Sequence, residues 1–403
     1  HERGVGKNSY HAGAAGKTFI KRKNSAADCS FGTAINSGKY DQREKAPLGV
    51  LFLRAKQLQS TGFSAMINPK KGAKKMRILV AGGAGYIGSH VVKALCNRGD
   101  SVVVADNLVT GHRQAVDRRA KFYQGDIRDH GFLSALFQAE PVDGVIHFAA
   151  YSLVGESVTA PLKYYENNVG GTRVLLEEMI RAGVKKIVFS SSAAVYGQPE
   201  QVPIEETAPT CPTNPYGETK RVMEQMFRWA EQAYGVGFVS LRYFNACGAE
   251  EGGAIGEDHR PESHLIPLVL QVPLGKRAKV SIFGTDYPTK DGTCVRDYIH
   301  VTDLAQAHLL AMDYLAQGGK SDIFNLGNGV GFSVREVIET ARRVTGHPID
   351  EEESGRRAGD PAVLVASSQK ARAVLGWTSC HTALDDIIAS AWAWHQAHPN
   401  GFE

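Results

Sequence analysis

The feature that most constrains this chain is a set of three glycines set between a strand-like and a helix-like segment. Arg77–Ala81 (RILVA) is a short, β-rich apolar run. Gly82, Gly85 and Gly88 follow it in a G-x-x-G-x-x-G spacing. A helical pattern over Tyr86–Asn97 then ends at Gly99. In that order, the glycines let the backbone come close to a pyrophosphate. The helix start then turns free N–H groups and the positive end of its dipole toward the anion. The segment predicts a dinucleotide site with Gly82, Gly85, Tyr86, Ile87 and Gly88 around the phosphates.

Strand and helix signals continue in alternation. Ser101–Ala105 reads as a second strand ending at Asp106, Phe122–Gln124 as a third, Val142–Ala149 as a fourth and Lys186–Ser190 as a fifth. Helical patterns lie between them, as over Tyr164–Ala182. This predicts an α/β fold with a Rossmann-type, doubly wound parallel sheet covered on both faces. After about residue 245 the alternation breaks down into Gly- and Pro-rich stretches and short strands such as Lys279–Phe283. At 403 residues the chain is too long for one ordinary core. We therefore expect residues 76–245 to form mainly the dinucleotide domain and 246–403 mainly a smaller mixed substrate domain, with the chain crossing back between them.

Asp106 stands 18 residues past Gly88, where an acid accepts hydrogen bonds from an adenosine ribose. A carboxylate there repels a 2′-phosphate, which favours NAD over NADP. Asn107 follows it. Asp126, Ile127, Phe148 and Ala149 close the third and fourth strand regions, at the sheet edge where ligands bind.

Charge is unevenly placed. Residues 1–75 carry 15 Lys and Arg against 4 Asp and Glu, a net +11; the rest carries 31 against 38, a net −7. The front segment is rich in Gly, Ala, Ser and Lys, without sustained periodicity, and is expected to be a disordered basic extension. It is read as upstream sequence without function, with Met66 or Met76 opening the ordered part. An organelle transit peptide and a polybasic arm are the competing readings. The acidic body gives no support to nucleic-acid binding. No apolar run reaches the ~18–20 residues of a membrane helix. The six cysteines are scattered and none forms a CxxC pair. That fits a reducing compartment, and a cytoplasmic protein without a zinc module is the expectation.

Tyr216 and Lys220 lie four apart in N-P-Y-G-E-T-K, on one face of a helix that Asn214 can cap and Pro215 can open. An ammonium beside a phenol favours phenolate, and a positively charged nicotinamide adds to that effect. Tyr216 then serves as a base near neutrality. Ser192, after the fifth strand, can donate to the same substrate oxygen or relay its proton.

Glycine turn, ribose acid, serine and Tyr–Lys pair in this order resemble the extended short-chain dehydrogenase/reductase superfamily. Within it the chain is similar to the UDP-glucose 4-epimerase family over roughly residues 76–401. The segments AGGAGYIGSH (81–90), FSSSAAVYG (189–197), PYGETK (215–220), LRYFNACGA (241–249) and FGTDYPTKDGTCVRDYIHV (283–301) carry the likeness. The resemblance implies reversible inversion at C4 of UDP-glucose and UDP-galactose through a 4-keto sugar, with bound NAD and no metal. It implies Tyr216 as base, Ser192 as orienting or relaying group, and Lys220 as ribose ligand and tuner of Tyr216. It also implies that Asn245, Arg296 and Arg357 hold the diphosphate, Asp360 the uridine ribose and Leu265 a further substrate contact. Phe244 would lie near the nicotinamide and Asn167 would steady the cofactor. A homodimer through helices of the cofactor domain is implied as well.

Three positions depart from that pattern. Ser152 stands where some members have a lysine, and His264 where some have an asparagine. Leu364 aligns with the position gating the sugar's C2 substituent and leaves UDP-N-acetylglucosamine open as a substrate. Ser192-Ala193 stands where nucleotide-sugar dehydratases carry Asp-Glu, which argues against dehydration. A 4-epimerase of another UDP-sugar and a non-catalytic NAD-binding scaffold are the alternatives.

Overall fold

A computed structural model of the chain describes residues 75–357 and 360–403. The basic extension expected over 1–75 lies outside them, save for Lys75. The strands are β1 (Arg77–Ala81), β2 (Ser101–Asp106), β3 (Lys121–Gln124), β4 (Gly144–His147), β5 (Lys186–Ser190), β6 (Gly237–Tyr243), β7 (Asn245–Cys247), β8 (Val280–Phe283), β9 (Val295–His300), β10 (Asp322–Leu326), β11 (Gly331–Ser333), β12 (Glu351–Ser354) and β13 (Val363–Leu364). Seven of them form one parallel sheet in the order β10-β6-β5-β4-β1-β2-β3.

Both faces of this sheet are covered, and its central strands are apolar on both sides. Ile78, Val80, Val102, Val104 and Ile146 point to a layer that includes Val91, Leu95, Leu304 and Met312. Leu79, Ala81, Val103, Val145 and Ile187 point to the other, with Leu133, Leu175, Met223 and Phe227. The alternation within β1 is the period of two that a strand imposes. The helix Tyr86–Arg98 ends where Gly99 takes φ 89° and returns its N–H to Leu95 and Cys96 carbonyls.

Register sets the working edge of the sheet. Ala81 is level with Ala105 of β2 and His147 of β4. Gly82, Asp106 and Phe148 therefore leave the sheet side by side. A separate four-stranded group joins β11, β9 and β13, with β7 also on β9, and β12 pairs with β8. Val269, Leu270, Ile282, Val337, Ile338, Ile387 and Ile388 fill the second core beside it. The helix Val301–Ala316 starts directly after β9 yet packs beneath the large sheet, and β10 pairs with β6.

The helix expected over Tyr164–Ala182 departs from a plain α-helix. A π-helical turn over Tyr165–Gly170 separates Pro161–Tyr164 from Gly171–Arg181. The wider turn admits two buried asparagines. The Asn168 carboxamide accepts from Tyr151 N at 2.8 Å and donates to Thr219 Oγ1 at 3.1 Å. The fourth strand is shorter than expected, at Gly144–His147. No helix among the described residues is long and apolar enough to cross a membrane, and the described cysteines form no disulfide.

A buried ion pair ties these layers together. Arg242 on β6 donates to both oxygens of Glu224, on the helix Pro215–Tyr234, at 2.9 and 2.5 Å. Both side chains are 3% exposed. Ser191 Oγ donates to the same carboxylate at 2.6 Å, and Arg242 also reaches Tyr196 Oη at 2.8 Å. Tyr196 in turn donates to Asn325 on β10 at 2.7 Å. Glu224→Ala leaves the guanidinium buried without its counter-charge. Urea unfolding is expected to show a loss of about 3–5 kcal/mol.

Candidate active site

The glycine turn is closed by contact. Gly82 has φ +81°, and a Cβ there would lie 2.5 Å from Ala149 N; one on Gly88 would lie 2.2 Å from Gly82 O. Neither position admits another residue. Gly85 precedes the helix without any side-chain cap, and a Cβ on it would meet only Gly82 O, at 3.6 Å. The turn thus leaves room, with free N–H groups, where a pyrophosphate would sit.

This turn opens on a cavity of about 440 Å³. Gly82, Gly85, Tyr86, Ile87, Gly88, Asp106, Asn107, Asp126, Ile127, Phe148, Ala149 and Asn167 all line it. Asp106 is buried, and its two oxygens accept from Ala84 N and Leu108 N, each at 2.9 Å. It so braces the glycine turn from one side and the turn at Leu108, with φ 60°, from the other. Burial raises its pKa, and those N–H groups oppose the rise. Asn107 donates to Asp126 at 3.0 Å, and Arg128 holds the Asp126 carboxyl down to about 2. These residues can hold a dinucleotide. The carboxylate of Asp106 and the uncapped helix start match its ribose and phosphates.

On the other side of the cavity, the helix Pro215–Tyr234 brings the Tyr–Lys pair to Ser192. Asn214 caps it by accepting from Gly217 N at 2.9 Å. A Cβ on Gly217 would lie 2.5 Å from Ala194 O, so the helix start presses on the segment after β5. That contact places Ser192 and Tyr216 on the same cavity, and the Ser192 hydroxyl, which accepts from Ala194 N at 3.1 Å, holds the Tyr216 phenol down against burial. Lys220 is buried; its ammonium donates to Ser190 O at 2.8 Å and lies 5.8 Å from the centre of the Tyr216 ring.

The electrostatics of the protein alone run opposite to the sequence expectation of a lowered phenol. Burial pushes Tyr216 up, and Ser192 only partly offsets it. Burial brings Lys220 down to about 7, against the pull of Glu224. Both groups are therefore biased toward neutrality. A cation beside them, such as an oxidised nicotinamide ring, would reverse the bias at Tyr216.

The remaining wall comes from the second core's strands. Phe244, Asn245, Arg296, Asp360 and Leu364 line the cavity. Leu364 is level with Arg296 across β13 and β9. The Arg296 guanidinium donates to Val295 O and Pro361 O, both at 2.9 Å, and stands 3.6 Å from Asp360. Two expected contacts are not among the lining residues. Leu265 opens the short helix Leu265–Leu270 and packs against the second core. Arg357 is exposed, and its guanidinium lies 3.9 Å over the ring of Phe283. An apolar helix start and a planar cation beside an aromatic ring each find a nearer partner there.

Tyr243, Glu257 and His259 also line the cavity, and the sequence reading missed them. Tyr243 shares a hydrogen bond with Ser190. It ends a strand that has no turn signal at its close. Glu257 and His259 belong to an E-x-H-x-x-E-x-H spacing over 257–264, which a search for ligand clusters would have found.

The buried lysine has a stability consequence. Above pH 10.5 neither state holds its proton; between 10.5 and about 7 only the unfolded chain does, so folding weakens as pH falls through that window. Below about 7 the cost is constant. Lys220→Met is expected to raise the urea midpoint of the ligand-free protein at pH 7. The gain should vanish toward pH 10.5, which denaturation at a series of pH values reads directly.

Residues 78–327 match the NAD dependent epimerase/dehydratase family. The UDP-glucose 4-epimerase of Lacticaseibacillus casei is 59% identical over 327 residues, spanning 81% of this chain and 99% of the relative. The crystal structure of the UDP-glucose 4-epimerase of Brucella ovis in complex with NAD is 46% identical, with a TM-score of 0.77 over 78% of this chain and 97% of that one. That of Bifidobacterium longum, in complex with NAD+ and UDP, is 43% identical, with a TM-score of 0.77 over 81% and 99%. Over the sheet, the glycine turn and the Tyr–Lys helix alike, the chain belongs to the NAD dependent epimerase/dehydratase family.

Proposed function

We propose that this chain interconverts UDP-glucose and UDP-galactose by inversion at C4, with NAD as its resident cofactor. The observation that carries this is the convergence of Ser192, Tyr216 and Lys220 on one cavity with the glycine turn and Asp106. Relatives at 55–59% identity are UDP-glucose 4-epimerases, and solved neighbours hold NAD and UDP or a UDP-sugar.

Bound NAD supplies the acceptance and return of the two electrons at the sugar carbon. The chain's own residues handle position and protons. Tyr216 takes the proton from the C4 hydroxyl and returns it after the 4-keto sugar has presented its other face. Ser192 hydrogen-bonds the same oxygen and relays or orients that proton. Lys220 places its amine beside the phenol, where it is charged most fully once Tyr216 is phenolate, and reaches toward the ribose. Arg296 and Asn245 face the diphosphate, and Asp360 the uridine ribose. Arg357 joins them if its guanidinium leaves the Phe283 ring on binding. Asn167 and Phe244 close the cavity around the nicotinamide end.

Turnover of UDP-glucose without added NAD, followed as UDP-galactose by chromatography, tests this. Tyr216→Phe is expected to lower kcat by about 10²–10⁴. No turnover of UDP-glucose, UDP-N-acetylglucosamine or UDP-xylose, with NAD bound, overturns the reading in favour of a scaffold. The relative rates report what Leu364 admits, since it lines the cavity.

A homodimer fits the exposed apolar residues on adjoining helices of the large sheet. Leu162, Trp229 and Val158 are 79%, 69% and 61% exposed. Sedimentation equilibrium should give twice the chain mass; a monomer at working concentration refutes the dimer.

A further inference from the structure

We propose that Glu257, His259, Glu262 and His264 form a structural zinc site that fixes one wall of the cavity. One ligand atom from each residue lies within 4.8 Å of all the others. His264 Nδ1 stands 2.8 Å from Glu257 and 3.1 Å from Glu262; His259 Nδ1 stands 3.3 Å from Glu257 and 3.6 Å from Glu262. A tetrahedral zinc with N and O ligands at ~2.0–2.1 Å sets neighbouring ligand atoms about 3.3–3.4 Å apart. The two separations to Glu257 Oε1, 2.8 and 3.3 Å, and those to Glu262 Oε1 from His264 and Oε2 from His259, 3.1 and 3.6 Å, lie around that edge length.

The directions of these contacts point the same way. Glu257 is 4% exposed, yet its Oε1 has no hydrogen-bond partner, and neither has the buried Nδ1 of His259. Glu262 Oε1 is hydrogen-bonded to His264 Nδ1 at 3.1 Å and to the Ser263 and His264 backbone N–H groups, whereas Glu257 Oε1 and His259 Nδ1 stand 3.3 Å apart without a hydrogen bond, as two ligands do around a common centre. Two buried carboxylates side by side need two positive charges between them. A dication with neutral imidazoles supplies both and satisfies the unpartnered atoms.

Donor type selects the ion. Two imidazoles and two carboxylates in a compact set suit zinc, whereas magnesium and calcium require six or more oxygens. Four protein ligands leave no open position for water or substrate, so the role is structural. The ring of His259 meets Tyr86 of the glycine turn edge-on, with centroids 6.1 Å apart. Asp258 accepts from Phe402 N at 3.1 Å. Zinc would therefore lock the segment that joins the cofactor turn to the end of the chain.

The test uses the full chain purified without chelator. Elemental analysis should find about one zinc per chain. Stripping with chelator should lower Tm, and zinc added back should restore it. Cobalt in the stripped protein should give the intense visible absorption of a tetrahedral site. His259→Ala/His264→Ala should lose the bound zinc. Because that variant has the option of misfolding, the cobalt spectrum of the unaltered chain is an independent measure. A stripped chain that takes up neither ion, with Tm indifferent to chelator, overturns the proposal in favour of two imidazolium–carboxylate pairs. A folded double variant that retains its zinc overturns it by placing the metal elsewhere.

Discussion

The site depends on an ion pair that never touches it. Glu224 and Arg242 are buried between the helix Pro215–Tyr234 and β6. The same helix carries Lys220 and Tyr216 about one and two turns earlier. Through Ser191 the carboxylate also holds the segment that ends in Ser192, and through Tyr196 the guanidinium reaches β10. A charge pair in this position is costly to desolvate and gives little net stability over an apolar core. What it supplies is direction: bidentate geometry permits one relation of helix to strand. The distance between phenol, ammonium and serine is thereby set in the core.

Above that frame the electrostatics are held in reserve. Burial keeps Tyr216 protonated and weakens the proton on Lys220. In the proposed role of base, Tyr216 does little until a cation arrives beside it, and a positively charged cofactor ring is such a cation.

What the sequence made legible was local. The glycine turn, β1, β5 and the capped Tyr–Lys helix are each written within a few residues, and the structure places them as expected. Contributions from distant segments were harder to read. The π-helical turn depends on Asn168 finding partners at Tyr151 and Thr219, far apart in sequence. β10 joins the large sheet only because β6 offers it an edge. Leu265 and Arg357 came by resemblance, and their side chains rest on apolar neighbours rather than on the cavity. The cluster at 257–264 shows the reverse case. Its spacing is plain in the sequence, but only the fold shows the four side chains converging.

The direct passage from β9 into the helix Val301–Ala316 bears on how such a protein can be divided or recombined. The strand that presents Arg296 and the helix beneath the large sheet share a backbone with no linker between them. β10 then returns to the edge of that sheet. A cut near residue 245 would strip the sheet of an edge strand and expose the apolar layer around Leu304 and Met312. The cavity wall built from the second core is thus not an interchangeable module. New specificity has to arise by side-chain replacement within a fixed architecture, because exchanging the second half wholesale would remove part of the first.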